Sequence, residues 1–304
     1  MKKKTLLLFV IFGLFCFALF FSFKAYNKAL NSIKEQFILS QKKKRWLNLQ
    51  KTLQNRAARF KGEIGLVVKD LDTGWCICLN ENELFPSASL VKIPVMLSFF
   101  YAAQEGRVDL KEEIRVKPSQ IVSGSKLMGN FRSGGNFVTQ DLFDPMITLS
   151  DNTATNVLID RMGFETLNLY FKKIGLKNTN IARNMMDFKS RSAGRENYTS
   201  AYDMAYILEK LYRKQFLTPQ VSQKCLILLS QQKVNDRIPK RLPKEEILTA
   251  HKTGLERHIC HDVGIVYTQK GNFLICVLVK HRDKFAYEAK KLISDMAWSV
   301  YNYY

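Results

Sequence analysis

The sequence is poor in the residues that build disulfide scaffolds and metal centres, with only 6 cysteines and 4 histidines among 304 residues. Cysteines this sparse do not form a disulfide framework, so we expect them to be mostly reduced and packed. Cys76 and Cys78 fall on one face of a predicted strand, as next-but-one neighbours that are not expected to bridge each other easily. The sequence also lacks internal repeats and low-complexity tracts, which excludes repeat architectures.

Acidic residues are scarce as well, because 27 Asp and Glu stand against 47 Lys and Arg and leave a net charge of +20. A surface this basic attracts polyanions, but the sequence has neither zinc-finger spacing nor the aromatic–basic strings of RNA-binding modules. We therefore predict no nucleic-acid partner and interpret the excess charge as a solvated basic surface. The hydrophobic content of 46% is sufficient for one large domain or two small ones.

Charged residues are absent from a stretch of about 19 residues, 5–23, that directly follows three lysines. That length spans a bilayer, and the lysine cluster should remain in the cytoplasm, which directs the rest of the chain outward. No short apolar region with a small-residue cleavage site is evident, so residues 1–24 predict an uncleaved signal anchor, with cleaved export as the alternative. Residues 25–60 are basic and predict a helical linker. The protein should be extracytoplasmic and anchored to the cytoplasmic membrane.

The pattern from residue 61 to residue 304 is that of a folded domain. Two β-branched and aromatic runs joined by Asp72-Thr73-Gly74 predict a hairpin, helices follow, and strands and a final amphipathic helix return after residue 245. This order predicts an α/β (α+β) fold. Strands from residues 61–86 and 246–304 form one antiparallel sheet flanked by helices, and residues 87–245 form an inserted all-helical lobe. Chemistry is expected in the cleft between sheet and lobe.

A serine precedes a lysine by three residues at four places, and one of these pairs, Ser89 and Lys92, lies at the start of an apolar helix. Free N–H groups at a helix start favour negative charge, and Lys92 follows one turn later. In a dry pocket the pKa of a lysine falls, so it can accept a proton and activate the serine as a nucleophile. Pro94 counts against a regular helix. The other pairs are Ser40/Lys43, Ser123/Lys126 and Ser230/Lys233.

Two further triplets occur once each, Ser150-Asp151-Asn152 and Lys252-Thr253-Gly254. Together with the stretch FPSASLVK, the string MITLSDNTATNVLID and the tetrapeptide HKTG, they make the sequence from about residue 60 to 304 resemble the class A serine β-lactamases and the penicillin-binding D,D-peptidases of the same fold. Each motif alone is weak. Their order and spacing together make a helix cap or a strand end a poor explanation of the triplets.

The resemblance implies an acyl-enzyme mechanism with three catalytic residues. Ser89 would be the nucleophile, Lys92 a candidate general base, and Ser150 the relay that passes a proton to the leaving nitrogen. The backbone N–H groups of Ser89 and Leu255 would form the oxyanion hole. The family uses no cofactor and no metal.

The resemblance also implies a set of substrate-binding residues. Asn152 would hydrogen-bond the substrate amide, while Lys252 and Thr253 would hold its carboxylate, and Gly254 would let the strand approach closely. Two further residues would be structural, Asp151 and Asn156, the latter supporting the loop beneath the site. The substrate would be a β-lactam or a D-Ala-D-Ala-type peptide, and a monomer is expected.

The sequence departs from the family in the loop that completes turnover. Class A enzymes carry a Glu-x-x-x-Asn pattern there, whose glutamate activates the deacylating water, and the stretch IARNMMDFKSRSAGRENYTS has no such pattern. Asp187 is the nearest acid and becomes the candidate for deacylation, although its side chain is one methylene shorter and this step depends on placement. Glu196, farther along, is more consistent with a structural role. The loop resembles that of penicillin-binding relatives, which puts deacylation, but not acylation, in question.

A second departure concerns the substrate carboxylate. Many class A enzymes place an arginine on the strand after Lys-Thr-Gly, and Val263 falls there in this sequence, with Arg257 and His258 as substitutes of unknown position. The cluster of His258, Cys260, His261 and Asp262 could indicate a metal, but a turn between two strands explains it more simply.

Three functions remain open from the sequence. The first is an exported β-lactamase-like hydrolase, slow because the loop glutamate is missing. The second is a D-alanyl-D-alanine peptidase of the cell wall that β-lactams trap. The third is a non-catalytic wall-binding module, which the complete set of Ser89, Lys92, Ser150 and Lys252 argues against.

Overall fold

The computed structural model describes residues 2–125 and 134–304, and of residues 2–16, 18 and 25 it describes the backbone alone. The chain divides into two compact units. One comprises the chain as far as Thr52 with Tyr303, and the other comprises Leu53–Asn302 with Tyr304. The predicted signal anchor, residues 1–24, falls mostly on residues whose side chains are not described. Lys126 of the Ser123/Lys126 pair lies outside the described residues altogether. Within the described residues, no helix combines the length and the apolar content that a membrane span needs.

The helices and strands follow one another in the order that the sequence predicts, with several short additions. The helices are α1 (Lys2–Arg59), α2 (Lys92–Gln104), α3 (Phe143–Thr148), α4 (Asn152–Met162), α5 (Phe164–Ile174), α6 (Phe188–Ser192), α7 (Ala201–Tyr212), α8 (Pro219–Ser230) and α9 (Tyr287–Tyr301). The strands are β1 (Gly62–Asp70), β2 (Cys76–Leu79), β3 (Phe85–Pro86), β4 (Glu113–Val116), β5 (Gly135–Val138), β6 (Tyr198–Thr199), β7 (Ile247–Glu256), β8 (Ile259–Thr268) and β9 (Phe273–His281).

The main sheet has five strands in the order β2-β1-β9-β8-β7. Each neighbouring pair is antiparallel, and β1 pairs with β9 along its whole length, from Gly62 opposite His281 to Asp70 opposite Phe273. The prediction that strands from the two ends of the sequence join in one antiparallel sheet is therefore confirmed. This pairing leaves β7, which carries the Lys-Thr-Gly triplet, at one edge of the sheet.

The prediction of an all-helical lobe is wrong in detail, because the inserted segment contains short strands. β4 and β5 form a two-stranded ribbon, and β6 pairs with β3, which directly precedes the Ser89 segment. These strands have two to four residues. A run that short does not display a period of two residues clearly enough to be separated from a loop.

Helix α2 lies in the centre of the hydrophobic core, and ten of its 13 residues are buried. Its first residue is Lys92, and Ser89 lies just before it in a 3₁₀ turn, Ala88–Val91. Pro94 is therefore the third residue of α2, where an N–H group has no partner within the helix. Its missing donor costs nothing at this position, so Pro94 is compatible with a regular helix.

The register of β7 against β8 sorts the side chains near Lys252 onto two faces. Residues opposite each other in a pair point to the same face, and successive residues alternate. Lys252 pairs with Val263 and Gly254 with His261, whereas Thr253 pairs with Asp262. Lys252 and His261 therefore share one face of the sheet, and Thr253 and Asp262 share the other.

Candidate active site

The Ser89 segment is held in an unusual backbone conformation. Ala88 has a φ of +44°, a left-handed value that costs energy for a residue with a Cβ. The flanking contacts fix it, because the N–H group of Ser87 donates to the carbonyl of Asn197 at 2.7 Å and that of Leu90 donates to Ser87 at 3.0 Å. Strain of this kind collects where a reactive group must be presented. The hydroxyl-bearing residue, Ser89, is half-buried.

Lys92 is fully buried and points into a cluster of polar atoms. Its Nζ donates to the carbonyl of Ser150 at 2.6 Å and to Oδ1 of Asn152 at 2.9 Å, and it lies 3.2 Å from Oγ of Ser150. Burial, with the positive charge of Lys252, holds the pKa of Lys92 well below 10.5, against the smaller opposing effect of the acidic residues nearby. A neutral amine that uses two N–H groups on these oxygens keeps its lone pair to accept a proton.

Ser150 connects the two buried lysines. Its Oγ accepts a hydrogen bond from Nζ of Lys252 at 3.0 Å while lying 3.2 Å from Nζ of Lys92. Ser150 has a φ of +60°, and the next residue, Asp151, caps α4 by accepting from the N–H group of Ala154 at 3.0 Å. The local turn therefore aims the hydroxyl away from α4 and towards both amines. Asp151 has the structural position that the sequence indicates.

The edge strand β7 presents Lys252 with its side chain fully buried. Gly254 lies directly against the Ser89 segment, because a Cβ added there would stand 3.4 Å from the Cβ of Ala88 and 3.3 Å from the ring of His261. The small residue thus allows the strand and the Ser89 turn to approach closely. Thr253 is buried on the opposite face, and Leu255 exposes 49% of its side chain at the end of the strand.

Asn152 faces a loop of the helical lobe as well as Lys92. Its Nδ2 donates to the carbonyl of Ser123 at 3.1 Å while its Oδ1 accepts from Lys92. Ser123 begins one of the alternative serine–lysine pairs, and its contact here uses only the backbone. The remaining alternatives, Ser40 and Ser230, donate to carbonyls of their own helices. Among the described residues, only the Ser89 pair adjoins the two triplets.

The loop beneath the site is attached to α4 through Asn156. The side chain of Asn156 accepts from the N–H group of Met185 at 2.7 Å and donates to the carbonyl of Met185 at 3.1 Å. Asp187 caps α6, with Oδ1 accepting from the N–H group of Ser190 at 2.9 Å. Hydrogen bonds from Ser190 lower the pKa of Asp187. The described contacts of Asp187 thus lead to α6 rather than to Ser89 or Ser150, and its deacylating role stays a prediction.

A buried ion-pair cluster ties the same loop to the end of β7. Arg183 lies between Glu196 at 2.7 Å and Glu256 at 3.2 Å, and Arg191 also pairs with both carboxylates, at 3.0 Å each. Glu256 follows Leu255, so this cluster fixes the strand end whose backbone the sequence assigns to the oxyanion hole. Glu196 has the structural position that the sequence favours.

The sequence interprets His261 as part of a turn between two strands, with a metal ligand as the alternative, and the structure instead places it within β8, where it has a positioning role. Its Nε2 donates to the carbonyl of Pro86 at 2.8 Å, and its Nδ1 accepts from the N–H group of Val279 at 3.0 Å. Burial lowers the pKa of His261 to about 4, so the ring is neutral near pH 7 and anchors β3, just before Ser89, to the sheet. His251 lies on the other face, with Nδ1 at 2.9 Å from Oδ1 of Asp262.

Arg237 is a buried cation that sequence reasoning missed. Its side chain is 1% exposed, Nη1 lies 3.2 Å from Oδ1 of Asp236, and Nε donates to Sγ of Cys260 at 3.3 Å. Cys260 pairs with Leu255, so Arg237 adjoins the sheet face that carries Thr253. Arg257 and His258 are instead exposed at the turn between β7 and β8. The only feature of the sequence that marks Arg237 is its place two residues before Pro239. This pattern is too common to identify a functional residue. Among the described residues, no group of three or more His, Cys, Asp or Glu is arranged to hold a metal ion.

The fold and this site together define a class A β-lactamase-like or penicillin-binding-like serine hydrolase. Residues 48–304 match the model of the beta-lactamase enzyme family, and the chain belongs to that family. It is accordingly a serine β-lactamase-like hydrolase. The predicted family and fold class are confirmed.

Individual relatives cover most of the chain. A beta-lactamase of Rhodobacter capsulatus is 25% identical over 73% of this chain and 76% of its own length. Beta-lactamase VEB-1 of Pseudomonas aeruginosa is 22% identical over 84% and 90%. Among solved structures, PBP-A has a TM-score of 0.76 and 31% identity over 84% of this chain and 96% of that one, in its L158E mutant as an acyl-enzyme with penicillin G.

Proposed function

We propose that the protein acylates Ser89 with β-lactams and releases the opened product slowly. The observation that carries this proposal is the position of the Ser150 hydroxyl between two buried amines. Its Oγ lies 3.2 Å from Nζ of Lys92, which follows Ser89 by one turn, and 3.0 Å from Nζ of Lys252. The acyl-enzyme of PBP-A with penicillin G supports it.

The first half-reaction begins with proton transfer from Ser89 to Lys92. The neutral amine of Lys92 takes the hydroxyl proton as Oγ attacks the lactam carbonyl, and the developing oxyanion is held by the N–H groups of Ser89 and Leu255. Ser150 then gives its proton to the lactam nitrogen as the C–N bond breaks, and recovers one from the protonated Lys92. The positive charge of Lys252 favours this transfer, and the net result is an ester on Ser89 with the ring nitrogen protonated.

The substrate would be held by the polar groups around this centre. Asn152 offers its amide to the acylamide side chain of the substrate. Lys252 and Thr253 leave β7 on opposite faces, and they would receive the carboxylate together at the free edge of this strand. Arg237, buried next to Cys260 on the face of Thr253, adds positive potential on the carboxylate side that Val263 does not supply. Charge of this kind, fixed in a site of low dielectric, acts more strongly than it would in water.

Labelled penicillin should leave a covalent adduct on Ser89 of the full-length protein, which intact mass and peptide mapping would show. Ser89→Ala should lose the adduct completely because it removes the hydroxyl that is proposed to form the ester, whereas Ser150 serves as the proton relay. Ser123→Ala is the matched control, since Ser123 starts a competing serine–lysine pair but touches Asn152 only through its backbone. Absence of an adduct on the unmodified protein would reject both enzymatic functions and leave the wall-binding module.

The acylation rate should rise with pH as Lys92 loses its proton, at a pH well below 10.5, because the folded protein lowers the pKa of this amine. Lys252→Gln removes a positive charge that contributes to this shift. The pH range in which the acylation rate rises, which is the rising limb of the pH–rate profile, should therefore move to higher pH, while the maximal rate falls. Stopped-flow acylation with a chromogenic β-lactam measures both effects. Lys233→Gln, at an exposed lysine of another serine–lysine pair, should leave the limb in place. An unmoved limb in Lys252→Gln would contradict coupling between the two amines.

The lifetime of the adduct separates a slow β-lactamase from a D-alanyl-D-alanine peptidase that β-lactams trap. We favour β-lactam hydrolysis with Asp187 positioning the water, so Asp187→Asn should lengthen the lifetime severalfold. Asparagine is an equally good helix cap, and α6 should therefore be preserved. An unchanged lifetime would remove Asp187 from the reaction. Release of D-alanine from a D-Ala-D-Ala peptide, with an adduct that outlasts the assay in both proteins, would favour the peptidase.

We also propose that the catalytic unit lies outside the cytoplasm, anchored by residues 1–24. The support is the uncharged stretch after three lysines and the wall-directed chemistry of the family. Protease added to cells with a permeable envelope but an intact cytoplasmic membrane should digest the catalytic unit. Full protection until that membrane is lysed would contradict export.

A further inference from the structure

A pair of cysteines is exposed on the edge of the sheet opposite to β7. Cys76 and Cys78 flank Ile77 on β2, and Ile77 is buried while both cysteines are exposed. The sequence places them on one face, which the structure matches, but the expectation of packed thiols is wrong for this pair. It is correct for Cys225, Cys260 and Cys276, which are buried.

The two sulfur atoms are too close for independent thiols. They are 2.9 Å apart. Two sulfurs on one tetrahedral zinc ion, each at about 2.3 Å, would be roughly 3.7 Å apart, whereas a disulfide needs about 2.05 Å. Residues i and i+2 of a strand have Cα atoms about 6.6 Å apart, near the upper limit of the range that disulfides tolerate, and their side chains leave the strand side by side, so closure of the S–S bond requires a local change in β2. The observed separation lies about midway between the two values, and among the described residues no third His, Cys, Asp or Glu joins the two thiols in a group that could hold a metal ion. A disulfide is therefore favoured over a chelate.

The surroundings make the two thiols unequal. A hydrogen bond with Cys76 lowers the pKa of Cys78, and the same bond raises the pKa of Cys76. Lys69, opposite Cys76 in the β1–β2 register, lowers the pKa of both thiols, and Glu81 raises it. Lys69 is also paired with Glu209 at 2.6 Å. The shared hydrogen bond thus favours one thiolate next to one thiol, which is the pairing that an exchange with an external disulfide requires.

We propose that Cys76 and Cys78 form a reversible dithiol–disulfide couple that is oxidised by thiol–disulfide exchange with an aliphatic disulfide. The thiolate of one cysteine attacks one sulfur of the oxidant, whose S–S bond breaks and releases one thiolate. The other cysteine gives its proton to solvent and attacks the protein sulfur of the mixed disulfide, which releases the second thiolate. Two protein thiols are oxidised, one external disulfide is reduced to two thiols, and the ring formed spans only Ile77.

This couple is independent of the proposed acylation of Ser89. β2 and β7 are the two opposite edges of the five-stranded sheet, and neither cysteine contacts a residue of the candidate active site among the described contacts. Acylation of Ser89 can therefore report that the variants are folded.

The experiment places the full-length protein in buffers of oxidised and reduced glutathione at graded ratios, alkylates free thiols after an acid quench, and reads the peptide that carries both cysteines by mass spectrometry. The unmodified protein should show an internal Cys76–Cys78 disulfide that excess reduced glutathione reverses. Cys225 and Cys276 provide internal controls and should be alkylated only after unfolding.

Single variants test whether each thiol resolves the mixed disulfide of the other. Cys76→Ser should accumulate a mixed disulfide on Cys78, and Cys78→Ser should accumulate one on Cys76, because in each variant the resolving thiol is missing. Only mixed disulfides in the unmodified protein would overturn the proposal. So would one-to-one binding of zinc ion that protects both thiols from glutathione disulfide.

Discussion

Two buried lysine amines that share one hydroxyl are the constraint on which the site depends. Because Lys92 and Lys252 both contact Oγ of Ser150, their Nζ atoms are no farther apart than the sum of those two contacts. Two positive charges at most about 6 Å apart repel by at least roughly 3 kcal/mol at an effective dielectric constant of 20. Release of one proton removes this repulsion, and burial together with the charge of Lys252 lowers the pKa of Lys92. The fold thus moves the pKa of Lys92 in the direction that a general base requires.

Bringing these groups together requires long-range order, since Lys92 and Lys252 lie 58 and 102 residues from Ser150 in the chain. Each segment is fixed by contacts of its own. The left-handed backbone of Ala88 and Ser150 aims the two serine segments, His261 attaches the approach to Ser89 to the sheet, and Gly254 lets the edge strand lie against Ala88. Removing any one of these supports would loosen a geometry that no local sequence could maintain alone.

Much of this arrangement could be predicted because short, local sequence patterns determine it. The hairpin around Gly74, the late strands and the serine–lysine spacing at Ser89 each have a local physical signal. Pro94, which counted against the helix, is explained by its place in the first turn of α2. The family was indicated by three motifs in a fixed order and spacing, whereas each motif alone is too short to indicate it.

The parts that the sequence did not reveal depend on partners far along the chain. The ribbon of β4 and β5 is too short to show a period, His261 is recognisable only once β8 lies beside Pro86, and the guanidinium of Arg237 becomes meaningful only against Cys260. The sulfur–sulfur contact of Cys76 and Cys78 likewise depends on side-chain rotation within a strand. In each case the signal is a tertiary contact, for which a single sequence contains no direct record.

The two half-reactions are served unequally by the charges around the site. Acylation has a deeply buried amine with a lowered pKa, which is the property that a general base requires. The loop beneath the site has two acids between Arg183 and Asn197, and both are engaged elsewhere. Glu196 is paired with Arg183 and Arg191, and Asp187 caps α6 with its pKa lowered, which weakens it as a base towards water. The charges around the site therefore favour the proposed ester formation more than its hydrolysis.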